Sequence, residues 1–281
     1  MFKGRIEGLF ELFRFHEYGP FFVAAGLMGC LSTRRIDLRM GALLLFIAVS
    51  SMSGFVLNDL CDVEEDKLKK ECRNPISAGK IGFRESSIVF IALTLLSIAL
   101  LCTLTKGPSI LGLITLINFW LYSWGLRLKT KPFLDLIVHG AWPALYATMG
   151  YLLYLPLDLG ILSLSLILFL LSMVSQILQE LRDMETDNSS NTVKILKQRN
   201  SIKLTILLML ISITLYVSTS IMGFIPFIYI FLTPLFYLLA EPLTKTLSQK
   251  IDPPEAIAKL RIRGLILAAL MVVLYVSYEY L

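Results

Sequence analysis

The composition places this chain in a membrane. Of its 281 residues, 56% are hydrophobic and only 17% are charged, with a net charge of +5. A soluble domain usually carries about 25% charged residues, so a water-soluble globular protein is excluded. Several apolar runs reach the ~20 residues that a helix needs to cross a bilayer.

These apolar runs predict the fold class. They are continuous rather than alternating, and only helices or closed barrels satisfy the backbone in lipid, so the sequence predicts an all-α polytopic membrane protein. The segment before the first run has apolar residues at helical spacing and predicts an amphipathic helix at the membrane interface. The nine predicted spans are 16–33, 40–57, 86–105, 109–125, 133–153, 160–178, 202–221, 223–240 and 263–280.

The basic residues predict the orientation. With the N-terminus in the cytoplasm, all Lys and Arg residues lie on the cytoplasmic side except four: Arg34, Arg35, Arg39 and Lys106. This asymmetry follows the positive-inside rule and predicts an integral plasma-membrane protein whose acidic clusters face the cytoplasm. The positive net charge therefore reflects topology and contact with membrane lipids, and nucleic acid is not expected as a partner.

The second predicted span ends in an acidic motif, NDLCDVEED. On a helix, Asn58, Asp62 and Asp66 are spaced i, i+4 and i+8, so their oxygens should converge on one volume. Asp59 and Glu65 point elsewhere and are expected to face water. Carboxylates close to lipid are costly unless they have a partner, a function or access to water.

A second acidic motif, ELRDMETD, ends the sixth predicted span. Its acids Glu180, Asp183 and Asp187 are spaced i, i+3 and i+7 on one helix face. Asp62 and Asp183 are 121 positions apart, and each is followed by another acid four residues later. Spans 1–4 and 5–8 are therefore interpreted as two related halves, as in other repeat-built membrane proteins, with the ninth helix left over.

Two facing acidic sites indicate metal chemistry. Clustered carboxylates repel one another unless cations intervene, and hard oxygen ligands suit Mg²⁺ together with substrate phosphates. The arrangement predicts Mg²⁺ ions bridged by a diphosphate, with basic residues covering the remaining phosphate oxygens. Three alternatives are two independently solvated helix ends, a secondary transporter or magnesium channel, and a phospholipid head-group transferase, although the usual DGxxAR pattern of the last is missing.

The motifs resemble those of the UbiA family of intramembrane prenyltransferases. That family has NDxxDxxxD on helix 2 and DxxxD on helix 6, and NDLCDVEED and DMETD fit both patterns. The resemblance implies one domain over residues 1–281, with nine transmembrane helices in two four-helix repeats plus a ninth, and a cytoplasmic polar cap from loops 58–85 and 180–201. It implies Mg²⁺-dependent transfer of a polyprenyl group from a prenyl diphosphate, such as geranylgeranyl diphosphate, to a lipophilic acceptor through ionisation of the allylic diphosphate.

The resemblance also implies roles for single residues. WLYSWGLRLK is similar to the family's Tyr-Ser followed by a basic stretch, which places Tyr122, Arg127 and Lys129 near the diphosphate. The implied catalytic residues are Asp62, Asp183, Tyr122 and Lys129. The implied metal ligands are Asn58, Asp62, Asp66, Glu180, Asp183 and Asp187. The implied substrate-binding residues are Asn58, Arg127, Lys129, Arg73, Lys194 and Arg14.

Two loops depart from the family pattern. RNPISAG stands where relatives often have RPxxxG, which shifts Arg73 by one position, and NSSNTVKIL replaces a Gly and Thr-Leu-Pro pattern around Lys194. Arg14, at the end of span 1, can either reach the phosphates or snorkel to the interface. The acceptor stays open between an aromatic or quinone precursor, a macrocycle and a glyceryl phosphate lipid.

Overall fold

The computed structural model describes residues 2–68, 74–184 and 190–224, with isolated positions between 241 and 277. In that part of the chain the regular structure is helical and no β-strand occurs. A short 3₁₀ turn spans Leu128–Thr130. The helices are α1 (Phe2–Phe13), α2 (Phe15–Leu31), α3 (Leu38–Cys61), α4 (Val63–Asp66), α5 (Phe83–Leu101), α6 (Lys106–Ser123), α7 (Leu134–Leu152), α8 (Leu159–Arg182) and α9 (Thr192–Ile221).

The first seven predicted spans coincide with α2, α3 and α5 to α9. By length and composition, α3, α5, α8 and α9 are each apolar enough to cross a membrane, so the helical membrane class is confirmed. Helix α9 starts ten residues before its predicted span, and a non-helical residue, Lys197 (φ 61°, ψ 163°), separates its first turns from the rest. The eighth predicted span and most of the ninth lie outside the described residues.

Helices α3 and α8 occupy equivalent places in the two halves. Each has 24 residues, and each begins after an extended Asp, Asp37 or Asp158, whose carboxylate accepts hydrogen bonds from backbone N–H groups of the first turn. Such residues are favoured helix N-caps. Each helix ends at an Asp with nearly the same backbone angles, φ −101° and ψ 5° for Asp62, φ −94° and ψ 6° for Asp183. Asp37 and Asp158 are 121 residues apart, as are Asp62 and Asp183, so each acidic motif has an Asp at the same structural point of its helix.

Helices α2 and α7 cross through a reciprocal pair of close contacts. A Cβ atom added to Gly29 would overlap the carbonyl oxygen of Ala147, and one added to Gly150 would overlap the carbonyl oxygen of Gly26. The same 121-residue offset relates Gly29 to Gly150 and Gly26 to Ala147. The contacts are therefore related like those at a two-fold axis, and small residues permit the close approach.

This crossing gives a prediction for stability. Gly29→Ala and Gly150→Ala are each expected to destabilise the protein by about 1–3 kcal/mol, because each new Cβ meets backbone atoms that cannot rotate away. Gly41→Ala is the matched control, since no described atom lies within 4 Å of its added Cβ. Melting temperatures of the three variants in one detergent provide the measurement. Equal melting temperatures for all three would contradict the close crossing.

Helix α1 packs against the outside of the first motif. Leu12 is fully buried in a cluster with Val56 and Val63, whereas Phe10 on the other face is 70% exposed. The Nζ atom of Lys80 lies 2.6 Å from a carboxylate oxygen of Glu11, which ties α1 to the loop after α4. The predicted amphipathic helix therefore forms and covers one flank of the acidic motif.

The two ends of the bundle carry different polar groups. At the starts of α3 and α8, the hydroxyl of Tyr154 donates to Asp37 at 2.7 Å. Hydrogen bonds from Arg39 and Tyr154 lower the pKa of Asp37 to about 2. The opposite end carries Asp62 and Asp183, at the ends of the same two helices. The acidic motifs therefore share one end of the bundle.

Candidate functional site

Oxygens of the first motif converge on one cation, the ammonium group of Lys129. Its Nζ lies 2.9 Å from Asn58 Oδ1 and 2.5 Å from each carboxylate oxygen of Asp62. The Lys129 and Asp62 side chains are 13% and 14% exposed. The i, i+4 spacing therefore does bring Asn58 and Asp62 together, even though the chain leaves the helix at Asp62.

Arg127 places a second cation on the same carboxylate. Its Nη2 lies 3.3 Å from Asp62 Oδ1, and its Nη1 lies 2.8 Å from Glu65 Oε1. The hydrogen bond to Glu65 raises the pKa of Arg127 above its ordinary value. Arg127 has a left-handed backbone (φ 47°), which is uncommon for a residue with a side chain. Glu65 is half exposed, as predicted.

Asp66 is buried and contacts the loop that follows the motif. The amide of Asn74 donates from Nδ2 to Asp66 Oδ2 at 3.1 Å and to the carbonyl oxygen of Asp59 at 2.7 Å. Asn74 Oδ1 accepts from the backbone N–H of Ile76 at 3.0 Å. Sequence reasoning missed this role of Asn74. The available signal was the departure from the RPxxxG pattern that the resemblance implies, because an amide stands directly before Pro75.

The prediction that Asp59 faces water is wrong. Asp59 is fully buried, and its Oδ1 lies 2.5 Å from Nη2 of Arg14. Its Oδ2 has no hydrogen-bond partner among the described residues. A helical wheel of α3 shows Asp59 on a face without neighbours, because the wheel contains only α3. In the structure, α1 and the loop held by Asn74 pack over this face. Arg14 therefore contacts the first motif through Asp59.

The acids of the second motif lie in different surroundings. Glu180 is buried, where its Oε1 accepts from Gln176 Nε2 at 2.9 Å and its Oε2 from the backbone N–H of Val193 at 3.3 Å. Asp183 is 42% exposed and is paired with Arg182 at 2.6 Å. The motif thus has one interior and one peripheral carboxylate, and Asp187 lies outside the described residues.

Asp135, a fully buried carboxylate that sequence reasoning did not single out, holds the start of α9. It accepts hydrogen bonds from the backbone N–H of Thr192 at 2.8 Å and from its hydroxyl at 2.6 Å, and it interacts with Glu180. The signal was present, because Asp135 lies inside the fifth predicted span and an acid within such a span indicates function. Asp135 therefore links α7, the second motif and α9.

The end of α6 connects the two motifs. The hydroxyl of Ser123 donates to Asn58 Oδ1 at 3.3 Å. The neighbouring Tyr122 hydroxyl accepts from Gln176 Nε2 at 3.2 Å, and Gln176 also donates to Glu180. Tyr122 lies within electrostatic range of carboxylates from both motifs. Both motifs therefore border one polar region.

Aromatic rings continue inward from this polar region. The Trp142 ring centroid lies 4.6 Å from Phe119 and 5.0 Å from both Tyr122 and His139. His139 is buried, and its Nδ1 lies 3.0 Å from the Ser172 hydroxyl, so a hydrogen bond satisfies this histidine inside the bundle. Since Tyr122 contacts both Gln176 and Trp142, the polar region directly adjoins an apolar, aromatic interior.

Lys194 and Arg73 are the two remaining residues for which a substrate-binding role was predicted. Lys194 lies in the first turn of α9, where its backbone N–H donates to the N-cap Asn191 at 3.0 Å. Arg73 lies outside the described residues. Within the described ranges, no group of three or more His, Cys, Asp or Glu residues is arranged to hold a metal ion. Three side-chain oxygens, from Asn58 and Asp62, do converge on the ammonium group of Lys129.

Sequence comparison identifies the relatives of this chain. The profile of the UbiA prenyltransferase family matches residues 20–254. A digeranylgeranylglyceryl phosphate synthase from Saccharolobus solfataricus is 29% identical over 66% of each chain, and one from Sulfurisphaera tokodaii is 25% identical over 80% of each. A 4-hydroxybenzoate octaprenyltransferase from Edwardsiella ictaluri is 33% identical over 35% of each chain.

Solved structures show the same fold. A UbiA homolog from Archaeoglobus fulgidus bound to GPP and Mg²⁺ has a TM-score of 0.77 and 22% identity, covering 97% of this chain and 98% of the homolog. A UbiA homolog from Aeropyrum pernix K1 has a TM-score of 0.72 and 15% identity, covering 95% and 97%. The family profile spans most of the chain and agrees with the motifs at the ends of α3 and α8, so the protein belongs to the UbiA prenyltransferase family.

Proposed function

We propose that the protein transfers a polyprenyl group from a prenyl diphosphate to a lipophilic acceptor in the membrane, with Mg²⁺ as cofactor. The observation that carries this proposal is the convergence of Asn58 and Asp62 oxygens on one cation. It lies in a polar region that the second motif also borders. The family supports the same activity.

The donor atoms fit Mg²⁺. An amide oxygen and two carboxylate oxygens already surround a single positive charge, and Mg²⁺ prefers hard oxygen ligands completed by water and phosphate. The Archaeoglobus fulgidus homolog bound to GPP and Mg²⁺ supports the same pairing of ion and donor here. We assign the metal to Asn58, Asp62, Asp66, Glu180, Asp183 and Asp187, of which Asp66 and Glu180 also accept the hydrogen bonds from Asn74 and Gln176.

The side chains around Asp62 suit diphosphate departure. Bound Mg²⁺ would neutralise the diphosphate and make it a better leaving group. Lys129 and Arg127 would donate charge-assisted hydrogen bonds to the oxygens that gain charge as the allylic C–O bond breaks. Tyr122, between the motifs, positions the head group where the aromatic interior begins. The acceptor then forms the new bond to the allylic carbon and releases its proton.

Water exclusion protects the allylic cation. We propose that loops 58–85 and 180–201 form a polar cap over the site, with Arg73 and Lys194 supplying further phosphate contacts. Helix α1 and the Arg14–Asp59 pair already cover one flank. The proposal includes one domain over residues 1–281, with nine transmembrane helices and the cap on the cytoplasmic face of the plasma membrane.

A transporter or magnesium channel is less consistent with the geometry. Transport sites lie near the bilayer midplane, typically at broken helices. Here Asp62 and Asp183 are C-cap residues at the ends of two helices. The carboxylates are therefore better placed for a head group that enters from one membrane surface.

We propose a glyceryl phosphate lipid as the acceptor and geranylgeranyl diphosphate as the donor. The relatives named digeranylgeranylglyceryl phosphate synthase match over 66% and 80% of the chain, whereas those named 4-hydroxybenzoate octaprenyltransferase match over 28% to 35%. The broader match supports the lipid acceptor over an aromatic one.

The test incubates purified protein with labelled geranylgeranyl diphosphate, Mg²⁺ and a panel of acceptors. A geranylgeranylated glyceryl phosphate, a hydroxybenzoate and quinone precursors form the panel. We expect a labelled glyceryl phosphate product that disappears when Mg²⁺ is chelated. Exclusive labelling of the hydroxybenzoate would contradict the acceptor, and unreacted donor with every acceptor would contradict the transferase activity.

A further inference from the structure

We propose that the ammonium group of Lys129 is an internal counter-ion of the first motif. Mg²⁺ displaces this ammonium group only when a diphosphate is present to receive it. The metal and the diphosphate would then bind as a coupled pair, and the metal alone would bind weakly. This inference rests on the proposed function and assigns Lys129 a role before the chemical step.

The geometry around the ammonium group carries the inference. A lysine ammonium has three N–H donors, and three oxygens lie within hydrogen-bond distance of Nζ: Asn58 Oδ1 at 2.9 Å and both Asp62 oxygens at 2.5 Å. These are the oxygens assigned to the metal. A divalent ion at the same oxygens would lie within a few ångströms of the ammonium charge, so the two cations compete for one position.

Burial makes this competition strong. Lys129 and Asp62 are only 13% and 14% exposed, and an opposite charge interacts more strongly where water is largely excluded. Mg²⁺ arriving alone must break this ion pair and leave the ammonium without an anionic partner. A diphosphate supplies such a partner, so the two ligands favour each other's binding, and this coupling is reciprocal.

The local backbone allows the ammonium to move. Lys129 lies in the 3₁₀ turn Leu128–Thr130, which begins after Arg127 in its left-handed conformation. The Thr130 hydroxyl donates to the Arg127 carbonyl at 2.9 Å and stabilises this turn. The four-carbon stem of lysine is flexible, so the ammonium can pass from Asp62 to a phosphate oxygen by side-chain rotation while the turn stays in place.

The experiment measures Mn²⁺ binding to detergent-solubilised protein by electron paramagnetic resonance of free Mn²⁺. Each variant is titrated with Mn²⁺ alone and with geranyl thiolodiphosphate, a donor analogue that resists ionisation. The variants are Lys129→Met and Lys129→Gln, which remove the charge, and Lys129→Arg, which keeps it. Lys131→Met is the matched control, because it removes an exposed lysine from the same loop.

We expect both neutral variants to bind Mn²⁺ alone at least about tenfold more tightly than the wild type, since one charge-assisted interaction no longer competes. The analogue should tighten Mn²⁺ binding to the wild type by a similar factor and to the neutral variants by less. Lys129→Arg and Lys131→Met should keep weak binding of Mn²⁺ alone.

Two outcomes separate this inference from the proposed function. If the wild type binds Mn²⁺ with the analogue but both neutral variants bind Mn²⁺ alone no more tightly than the wild type, the counter-ion role is overturned and the function stands. If the wild type fails to bind Mn²⁺ even with the analogue, the proposed metal site itself is overturned.

Discussion

Asp62→Ala and Asp183→Ala are each expected to abolish Mg²⁺-dependent release of diphosphate while leaving the protein folded in the membrane. Both residues cap the ends of equivalent helices, and both belong to motifs that border one polar region. In the proposed mechanism, removal of either carboxylate would take away charge that holds the metal against the leaving group. We expect a loss of about 100-fold or more in the rate of release.

The measurement is diphosphate release from labelled geranylgeranyl diphosphate at several Mg²⁺ concentrations. Asp37→Ala is the matched control, because Asp37 caps the opposite end of α3 with a carboxylate that is 38% exposed. This variant is expected to keep the activity and to lose about 0.5–2 kcal/mol of stability. Full activity in either Asp62→Ala or Asp183→Ala would rule out a site shared by the two motifs.

Arg14→Met is expected to cause the largest loss of stability. Asp59 is fully buried, and one of its oxygens is held by Arg14 at 2.5 Å, so the substitution leaves a buried carboxylate without this counter-charge. Removing one partner of a buried ion pair lowers the free energy of unfolding by about 3–5 kcal/mol. Asp59→Asn in the Arg14→Met background should recover much of this loss, because the charge that needed compensation is gone.

Melting temperatures of the two single variants and the double variant form a double-mutant cycle, which isolates the pair interaction. Arg39→Met serves as the control, since Arg39 and Asp37 form a pair whose side chains are 47% and 38% exposed. Exposed pairs contribute about 0–1 kcal/mol. Equal effects of Arg14→Met and Arg39→Met would show that the Arg14–Asp59 pair does not stabilise the fold.

The contrast between Asp59 and Glu65 shows where sequence reasoning succeeds. Both were expected to face water, because both lie off the helix face shared by Asn58 and Asp62. Glu65 does so, being half exposed beside Arg127. Asp59 does not, because α1 and the loop held by Asn74 pack over it. A helix wheel describes one helix and contains nothing about what covers it.

The sequence by itself determined the membrane class and the positions of the first seven predicted spans, which coincide with α2, α3 and α5 to α9. It also determined the 121-residue repeat that relates Asp62 to Asp183. Apolar length, charge asymmetry and helical spacing are local properties, so one chain contains them in full. Only the tertiary structure decided that the ammonium of Lys129 lies on Asp62 and that Asp135 holds Thr192. These pairs join residues 67 and 57 positions apart, and such contacts depend on how α3, α6, α7 and α9 pack against one another.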